Sequence, residues 1–304
     1  MVAALALVHT VALIEPGLHI MSLEEYLQDP CPEPSLNHSV AVPLLHQSAL
    51  HTFHAHPKLN PEGVVRVNHD HFDLGTVVHE LVLEGDDRIW EVHAKDWKTK
   101  AAKVEREEAR AAGHIPLLTA QIQKARAMAA AVARQVEAFP ASESDPPPPL
   151  RNGLAERVVI WREGPIWCRA RIDYLHTDFK TIDDLKTTGE SAHPADWTRN
   201  LFDKGLDLQV AFHCRGVQKV TGTRPDFRFL VVEDEPPYAL SLIGLAPEAL
   251  DFAEHRMLTA IELWGRGLRT GQWPGYTRRP VYAEVPPWVQ TRWTDRVYYR
   301  GGEP

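Results

Sequence analysis

The sequence predicts an α/β fold in which a group of strands follows a largely helical first half. Residues 154–188 alternate apolar and polar side chains, and this period of two is typical of half-buried strands. Residues 71–87 and 246–271 repeat their apolar side chains every three to four positions, as amphipathic helices do. With 44% hydrophobic and 24% charged residues, the chain of 304 residues is long enough to bury a core.

Charge and cysteine content restrict the possible functions. The formal net charge of −8 argues against a protein whose whole surface binds nucleic acid, so a DNA substrate would require a local basic groove. Cys31, Cys168 and Cys214 form no C-x-x-C pair, which argues against a disulfide framework and a zinc ribbon. Three cysteines are one short of a four-cysteine iron–sulfur site. This cysteine usage fits a reducing cytoplasm.

The first part of the chain predicts short helices. Residues 1–20 are apolar, but they lack the basic start of an export signal and are too short to span a bilayer, so we expect an N-terminal extension or a packed strand. Ser22 and Glu25 form a capping box that opens a short helix. Residues 36–58 predict a pair of helices interrupted at Pro43. His46, His51, His54 and His56 suggest either a metal site or a solvated surface, and the lack of a neighbouring cysteine or carboxylate favours the surface.

The helix predicted at residues 71–87 carries His79 at its centre. Its core-facing residues are Leu74, Val77, Val78, Leu81 and Val82. Gly75 costs the helix up to about 1 kcal/mol relative to alanine, which is reasonable if a backbone or a ligand approaches closely there. Taken alone, His79 also fits a hydrogen-bonded packing residue.

The middle of the chain predicts a strand, two consecutive helices and then the sheet. The strand covers residues 88–93, and the helices cover 95–112 and 116–139. The proline-rich residues 140–150 break every periodicity and predict a loop. Three strands with short turns follow up to residue 188 and form a meander.

Acidic residues within this meander suggest a cation site. Asp184 and Lys186 point to the same face of a strand, and a turn near residues 176–178 can bring Asp173 beside Asp184. Two carboxylates about 4 Å apart repel each other by roughly 4 kcal/mol at an effective dielectric constant of 20. A lysine or a hard ion such as Mg²⁺ would relieve that repulsion. Surface charges on a hairpin would produce the same pattern, and Glu156 is either a further acid of the site or a solvated strand end.

Asp173 and the triplet Asp184-Leu185-Lys186 resemble the D…(D/E)-x-K signature of the PD-(D/E)XK nuclease superfamily. The string G-T-x-x-H-E-L-x-L-E around His79 is similar to the helix of exodeoxyribonuclease VIII (RecE)-like phage and prophage exonucleases, and the resemblance extends over residues 20–295. It implies a restriction-endonuclease-like core with a central mixed β-sheet flanked by helices. It also implies a single nuclease domain over residues 21–276, followed by a C-terminal tail.

The resemblance implies a role for each site residue. The implied metal ion is Mg²⁺, which Mn²⁺ can replace. Its implied ligands are Asp173, Asp184, His79 and the carbonyl of Leu185. Lys186 would position the attacking water or help to deprotonate it, and Gln209 would orient the water or the scissile phosphate. The family often has Gln-x-x-x-Tyr at this point, whereas here His213 replaces the tyrosine and is at most an accessory residue. Gln209 and His213 also fit two polar residues on an exposed helix stripe.

The implied activity is digestion of linear double-stranded DNA from its ends, 5′→3′, which leaves 3′ single strands for an annealing recombinase. The implied setting is a homo-oligomeric ring in the cytoplasm of a bacterial or phage-infected cell, without a membrane partner. Two alternatives stay open: a RecB-like or Cas4-like nuclease of repair or CRISPR, and a catalytically silent DNA-binding protein. Residues 277–304 interleave arginines with aromatic residues, which suits contact with a single strand, a protein interface or a disordered tail.

Overall fold

The computed structural model describes residues 14–63, 70–85, 88–139 and 147–300. They divide into a large unit that ends at Pro274 and a small unit that begins at Gly275. The predictions for residues 1–13 and 140–146 lie outside the described residues. None of the helices in the described ranges is long and apolar enough to cross a membrane.

The described residues form strands and helices in the following order. The strands are β1 (Gly17–His19), β2 (Ile89–Val92), β3 (Ile115–Leu118), β4 (Gly153–Glu163), β5 (Ile166–His176), β6 (Thr181–Thr188), β7 (Asp226–Glu233) and β8 (Leu240–Ile243). The helices are α1 (Leu23–Leu27), α2 (His38–His46), α3 (Ala49–Ala55), α4 (Asp70–Leu83), α5 (Lys100–Ala111), α6 (Thr119–Glu137), α7 (Pro194–Asp203), α8 (Leu206–Thr221), α9 (Pro247–Thr270) and α10 (Pro287–Arg300).

Six of the strands form one mixed sheet in the order β1-β4-β5-β6-β7-β8. All neighbouring pairs are antiparallel except β6 and β7, which run parallel. Parallel neighbours require a crossover, and α7 and α8 provide it. The predicted α/β fold with a central mixed sheet flanked by helices is therefore confirmed.

The sheet is covered on both faces, as the interior strand β7 shows. Phe229 and Val231 are buried in a core that includes residues of α8 and α9. Leu230 and Val232 are buried in a second core with residues of α4 and α6. Because successive side chains of a strand point to opposite faces, one strand supplies both cores. This arrangement holds α4 on one side of the sheet and α8 on the other.

The helix boundaries of residues 36–58 differ from the prediction. The expected break at Pro43 is wrong, because α2 continues through this proline and ends at His46. Pro43 removes one helical hydrogen bond, but its neighbours Ala41 and Leu44 are buried and hold the helix against the core. The break lies instead at Ser48, whose side chain caps α3. The predicted capping box of α1 is present, since Ser22 and Glu25 cap each other.

Residues 115–118 form a strand, so the prediction that a helix begins at Pro116 is wrong. They make β3, which pairs in parallel with β2 in a separate two-stranded sheet. The pairing buries Leu117 and Leu118, and α6 begins directly afterwards at Thr119. A run of four residues has too few repeats for its periodicity to distinguish a strand from a helix.

Candidate active site

Three carboxylates lie in a row across β4, β5 and β6. The register of β4 and β5 pairs Ala155 with Tyr174 and Arg157 with Ile172, and interpolation between these pairs places Glu156 opposite Asp173. The register of β5 and β6, continued by one residue, places Asp184 opposite Asp173 on the other side. Residues that face each other on neighbouring antiparallel strands project from the same face of the sheet. Asp173 also accepts a hydrogen bond of 3.0 Å from the backbone N–H of Leu185, which ties the two strands together where the acids meet.

Glu156 has an unusual backbone conformation for a strand residue. Its φ angle of 54° lies in the left-handed region, which costs a residue other than glycine about 1–3 kcal/mol. Two partners hold its carboxylate: Arg171 Nη2 lies 2.6 Å from Oε2, and His79 Nδ1 lies 3.0 Å from Oε1. Such strained residues concentrate at functional sites, because their geometry persists only where the surroundings enforce it.

His79 links the helix α4 to this row of acids. Its Nε2 lies 2.9 Å from Asp173 Oδ2, while its Nδ1 contacts Glu156. Burial disfavours the imidazolium, but the two carboxylates outweigh burial and raise the pKa of His79 to about 10. A Cβ atom on Gly75 would lie 3.3 Å from Thr187 Oγ1, so the missing side chain lets the helix approach β6 closely, as expected.

Asp184 and Lys186 form an ion pair beside this group. Asp184 is fully buried, and its carboxylate contacts Lys186 Nζ and accepts a hydrogen bond from Gln209 Nε2. Burial and the charge of Asp173 raise the pKa of Asp184 to about 7. Burial also acts to raise the pKa of Asp173, but His79 and Lys186 outweigh it and lower that pKa. Burial opposes the charge of Lys186, yet the two aspartates raise its pKa.

Within the described ranges, one group of side chains offers the donor atoms for a metal ion. His79, Glu156 and Asp173 each offer one ligand atom, and these three atoms lie within 4.8 Å of one another. An imidazole nitrogen with two carboxylate oxygens suits a divalent ion such as Mn²⁺, and carboxylate with water suits Mg²⁺. Asp184 lies on the next strand and is not part of this group; Lys186 and Gln209 contact its oxygens.

Comparison with known proteins shows the family to which the chain belongs. Residues 47–283 match the family model described as a PDDEXK-like domain of unknown function (DUF3799). The match covers more than three quarters of the chain and includes every site residue described above. The chain belongs to this family of PDDEXK-like domains.

A solved structure shares the fold of this PDDEXK-like domain. It is a crystal structure of a protein from Eubacterium rectale described as a candidate exonuclease, with 12% sequence identity and a TM-score of 0.60. The likeness covers 90% of this chain and 99% of that chain, and at this identity it shows the fold alone. No match was found among curated proteins. The family and the fold support a nuclease.

Two further predicted site residues of the PDDEXK-like domain are Leu185 and His213. Leu185 buries its side chain in the core beneath α4, and its expected role as a carbonyl ligand stays a prediction. His213 lies on α8 one turn after Gln209, but it is fully buried rather than on an exposed stripe. Its ring lies 5.6 Å from that of His38 and 5.8 Å from that of Phe227. Among the described residues, neither ring nitrogen of His213 has a hydrogen-bond partner.

The histidines of residues 46–56 do not come together in the PDDEXK-like domain. His56 is buried against Asp29, with 3.3 Å between Nε2 and Oδ2. His51 contacts the hydroxyl of Ser48, and His46 contacts Arg256 on α9. Each of these three rings has a separate partner, which argues against a shared metal site. The expected solvated surface is wrong for His56, which is buried.

Arg171 is a site residue that the sequence analysis missed. It lies two positions before Asp173 on β5, and this spacing alone places both side chains on one face. Together with Lys186 and Lys204 it lines a cleft of about 700 Å³ that opens beside His79. The cleft therefore contains three cationic side chains, of which Arg171 contacts Glu156 and Lys186 contacts Asp184.

Proposed function

We propose that this protein is a metal-dependent DNA exonuclease that hydrolyses phosphodiester bonds of linear double-stranded DNA. The observation that carries the proposal is the convergence of Glu156, Asp173 and His79 on one point, with the pair Asp184–Lys186 beside it. In this structure His79, Arg171 and Lys186 balance the charge of the three acids. A divalent cation would take over the charge of His79, because an imidazole that binds a metal is neutral. The left-handed backbone of Glu156 is a strained conformation of the kind that concentrates at functional sites.

The donor set fits Mg²⁺ or Mn²⁺. Glu156, Asp173 and His79 would hold the ion, and Asp184 would complete the acidic shell from the next strand. When bound, the ion would lower the pKa of a water molecule and offset charge on the phosphate.

The side chains of the domain would divide the remaining tasks. Lys186, at the mouth of the cleft, would position the attacking water and donate a hydrogen bond to the scissile phosphate. Gln209 holds the carboxylate of Asp184 and would thereby fix the position of Lys186. In the reaction a water oxygen bonds to phosphorus, the bond to O3′ breaks, and the leaving oxygen takes up a proton.

The direction of digestion and its setting are a finer proposal. We propose digestion in the 5′→3′ direction that leaves 3′ single strands, an annealing recombinase as partner, a homo-oligomeric ring and a cytoplasmic location. The support is the resemblance to exodeoxyribonuclease VIII-like enzymes around Gly75–Glu84 and at Asp173 and Asp184-Leu185-Lys186. A ring would let a chain with a net charge of −8 hold DNA in a channel lined by its few basic segments.

Digestion of linear duplexes labelled at the 5′ or the 3′ end tests the proposal directly. With Mg²⁺ or Mn²⁺ we expect mononucleotides from linear DNA, no cleavage of a covalently closed circle and no activity in EDTA. Asp184→Asn and Lys186→Ala should abolish digestion, whereas Lys180→Ala, in the exposed turn before β6, should retain it. Retained activity in both site variants would remove the site assignment. Binding of DNA without hydrolysis under any of these conditions would instead indicate a catalytically silent protein.

A further inference from the structure

Helix α10 in the C-terminal unit presents large aromatic side chains to solvent. The exposed fractions of Trp288 and Trp293 are 61% and 68%, which is unusual for two tryptophans on one helix. Exposed apolar groups that lie close together mark interaction sites on soluble proteins. The helix begins at Pro287, after the last residue that matches the family model, so the family assignment leaves its role open.

The same segment is positively charged within an acidic chain. From Gly275 to the end, the sequence has five arginines and three acidic residues, hence a net charge of +2, in a chain whose total is −8. The arginines are Arg278, Arg279, Arg292, Arg296 and Arg300. Such a segment attracts a polyanion that the rest of the surface would repel.

On α10 an arginine accompanies each exposed tryptophan. Arg292 follows Trp288 by one turn, and its guanidinium carbon lies 5.0 Å from the centre of the indole ring. Arg296 follows Trp293 by three positions, which places these two residues on the same side of the helix. Because five residues separate the two tryptophans, their positions lie about 140° apart around the helix, and Arg292 and Arg296 lie on the arc between them.

We propose that α10 binds single-stranded nucleic acid, with Trp288 and Trp293 stacking on bases and Arg292 and Arg296 contacting phosphates. Aromatic rings interleaved with cations are the arrangement that binds single strands without reading their sequence. The two tryptophans are five residues apart, about 7.5 Å along the helix axis. This distance corresponds to about two nucleotides at the 3.4 Å spacing of a stacked strand.

A lipid surface fits these residues less well. A helix that lies on a membrane separates a charged face from an apolar face. Here Arg292 lies over the ring of Trp288 and Arg296 follows Trp293 by three positions, so charged and apolar groups are not separated onto two faces. Bases and phosphates alternate along a nucleic-acid strand, so they match this mixed surface.

Binding of the full-length protein to a fluorescein-labelled dT20 oligonucleotide, followed by anisotropy in EDTA, tests the proposal. Replacing either Trp288 or Trp293 with alanine should weaken binding about 5- to 150-fold, the loss expected for one stacked base. The double variant Arg292→Gln/Arg296→Gln should lower the slope of log Kd against log salt by about 1.4, which corresponds to two phosphate contacts on a single strand.

A matched control is available on α9. Phe252 is 54% exposed and also has an arginine, Arg256, over its ring at 5.6 Å, but it lies outside the basic segment. Phe252→Ala should therefore bind dT20 like the unmodified protein. Unchanged affinity in both tryptophan variants would overturn the proposal. The proposal would also be overturned if the tryptophan variants kept their binding to dT20 but no longer sedimented with vesicles of phosphatidylcholine and phosphatidylglycerol. That result would assign the helix to membranes.

Binding of a single strand by α10 can be measured independently of the proposed nuclease activity. Because EDTA prevents metal-dependent hydrolysis, the binding assay gives its answer whether or not the protein cuts DNA. Only the identity of the bound strand rests on the proposed function: in a 5′→3′ exonuclease, α10 would hold the 3′ strand that digestion leaves behind.

Discussion

Asp183 and Asp184 are neighbours on β6 and both are fully buried, yet replacing each with asparagine should have different consequences. Asp184 belongs to the candidate active site, where Lys186 contacts it. Asp183 points to the opposite face, where Arg228 Nε and Nη2 both lie 2.7 Å from its Oδ1. Its other oxygen lies 2.8 Å from His176 Nε2 and accepts a hydrogen bond from the backbone N–H of Leu150.

The size of each effect follows from these contacts. Asp183→Asn would leave the buried guanidinium of Arg228 without its carboxylate, and breaking a buried ion pair from one side costs about 3–5 kcal/mol. For a domain of this size, that loss lowers Tm by roughly 6–20 °C. Asp184→Asn loses the contact with Lys186 but removes the repulsion from Asp173, so we expect a change in unfolding free energy of at most about 1 kcal/mol.

Thermal unfolding in EDTA and digestion of linear duplex DNA with Mg²⁺ at 25 °C separate the two effects. Asp183→Asn should unfold at lower temperature and still digest DNA, whereas Asp184→Asn should keep its Tm and lose digestion. An equal loss of Tm in both variants would refute the division of β6 into a structural face and a site face. Digestion by Asp184→Asn at the unmodified rate would refute the placement of the site.

Three further changes test other parts of the structure. Glu156→Gln should weaken Mn²⁺ binding at least about tenfold by calorimetry, since it removes a charged oxygen from the donor group, and an unchanged affinity would exclude Glu156 from that group. Burial acts to raise the pKa of Glu163, but its ion pair with Arg215 outweighs burial and lowers that pKa. The carboxylate therefore stabilises the fold above the unfolded-state pKa of about 4.3. This contribution is lost as the pH falls through the folded-state pKa. Urea unfolding should therefore show that Glu163→Gln is less stable than the unmodified protein at pH 7, and equal stability at both pH 7 and pH 3.5 would count against this pair. Gly216→Ala would place a Cβ atom 2.7 Å from the Trp161 ring, so urea unfolding should show a loss of about 1–3 kcal/mol, and a neutral result would mean that the ring can move aside.

The part of the site that the sequence predicted best is encoded locally. Asp184 and Lys186 are two positions apart on one strand, and Asp173 lies on the strand before it, so alternation and one short turn suffice to bring them together. The contact of Gln209 with Asp184 is not encoded locally, because it depends on where α8 crosses the sheet.

The rest of the site depends on contacts between distant segments. His79 meets Glu156 because α4 packs against the sheet and Gly75 permits the close approach, and no pattern within either segment shows this meeting. Arg171 was missed although its spacing from Asp173 was visible, because an arginine in a strand is usually a solvated residue. The alternative of an exposed stripe for Gln209 and His213 is wrong, because both are buried, and the rings of His38 on α2 and Phe227 on β7 lie next to that of His213.

The left-handed backbone at Glu156 makes this position a point where heat resistance and hydrolysis would compete. Glycine or asparagine adopts this conformation more readily than glutamate does, so either substitution would relax the chain locally. The loss of the ion pairs with Arg171 and His79 opposes this relief, so a library selected only for survival at high temperature should enrich those two residues at position 156 where a second substitution removes the unpaired cations. The enriched variants would lack the oxygen that faces His79, and the proposed digestion of DNA would decline as their thermal tolerance rises.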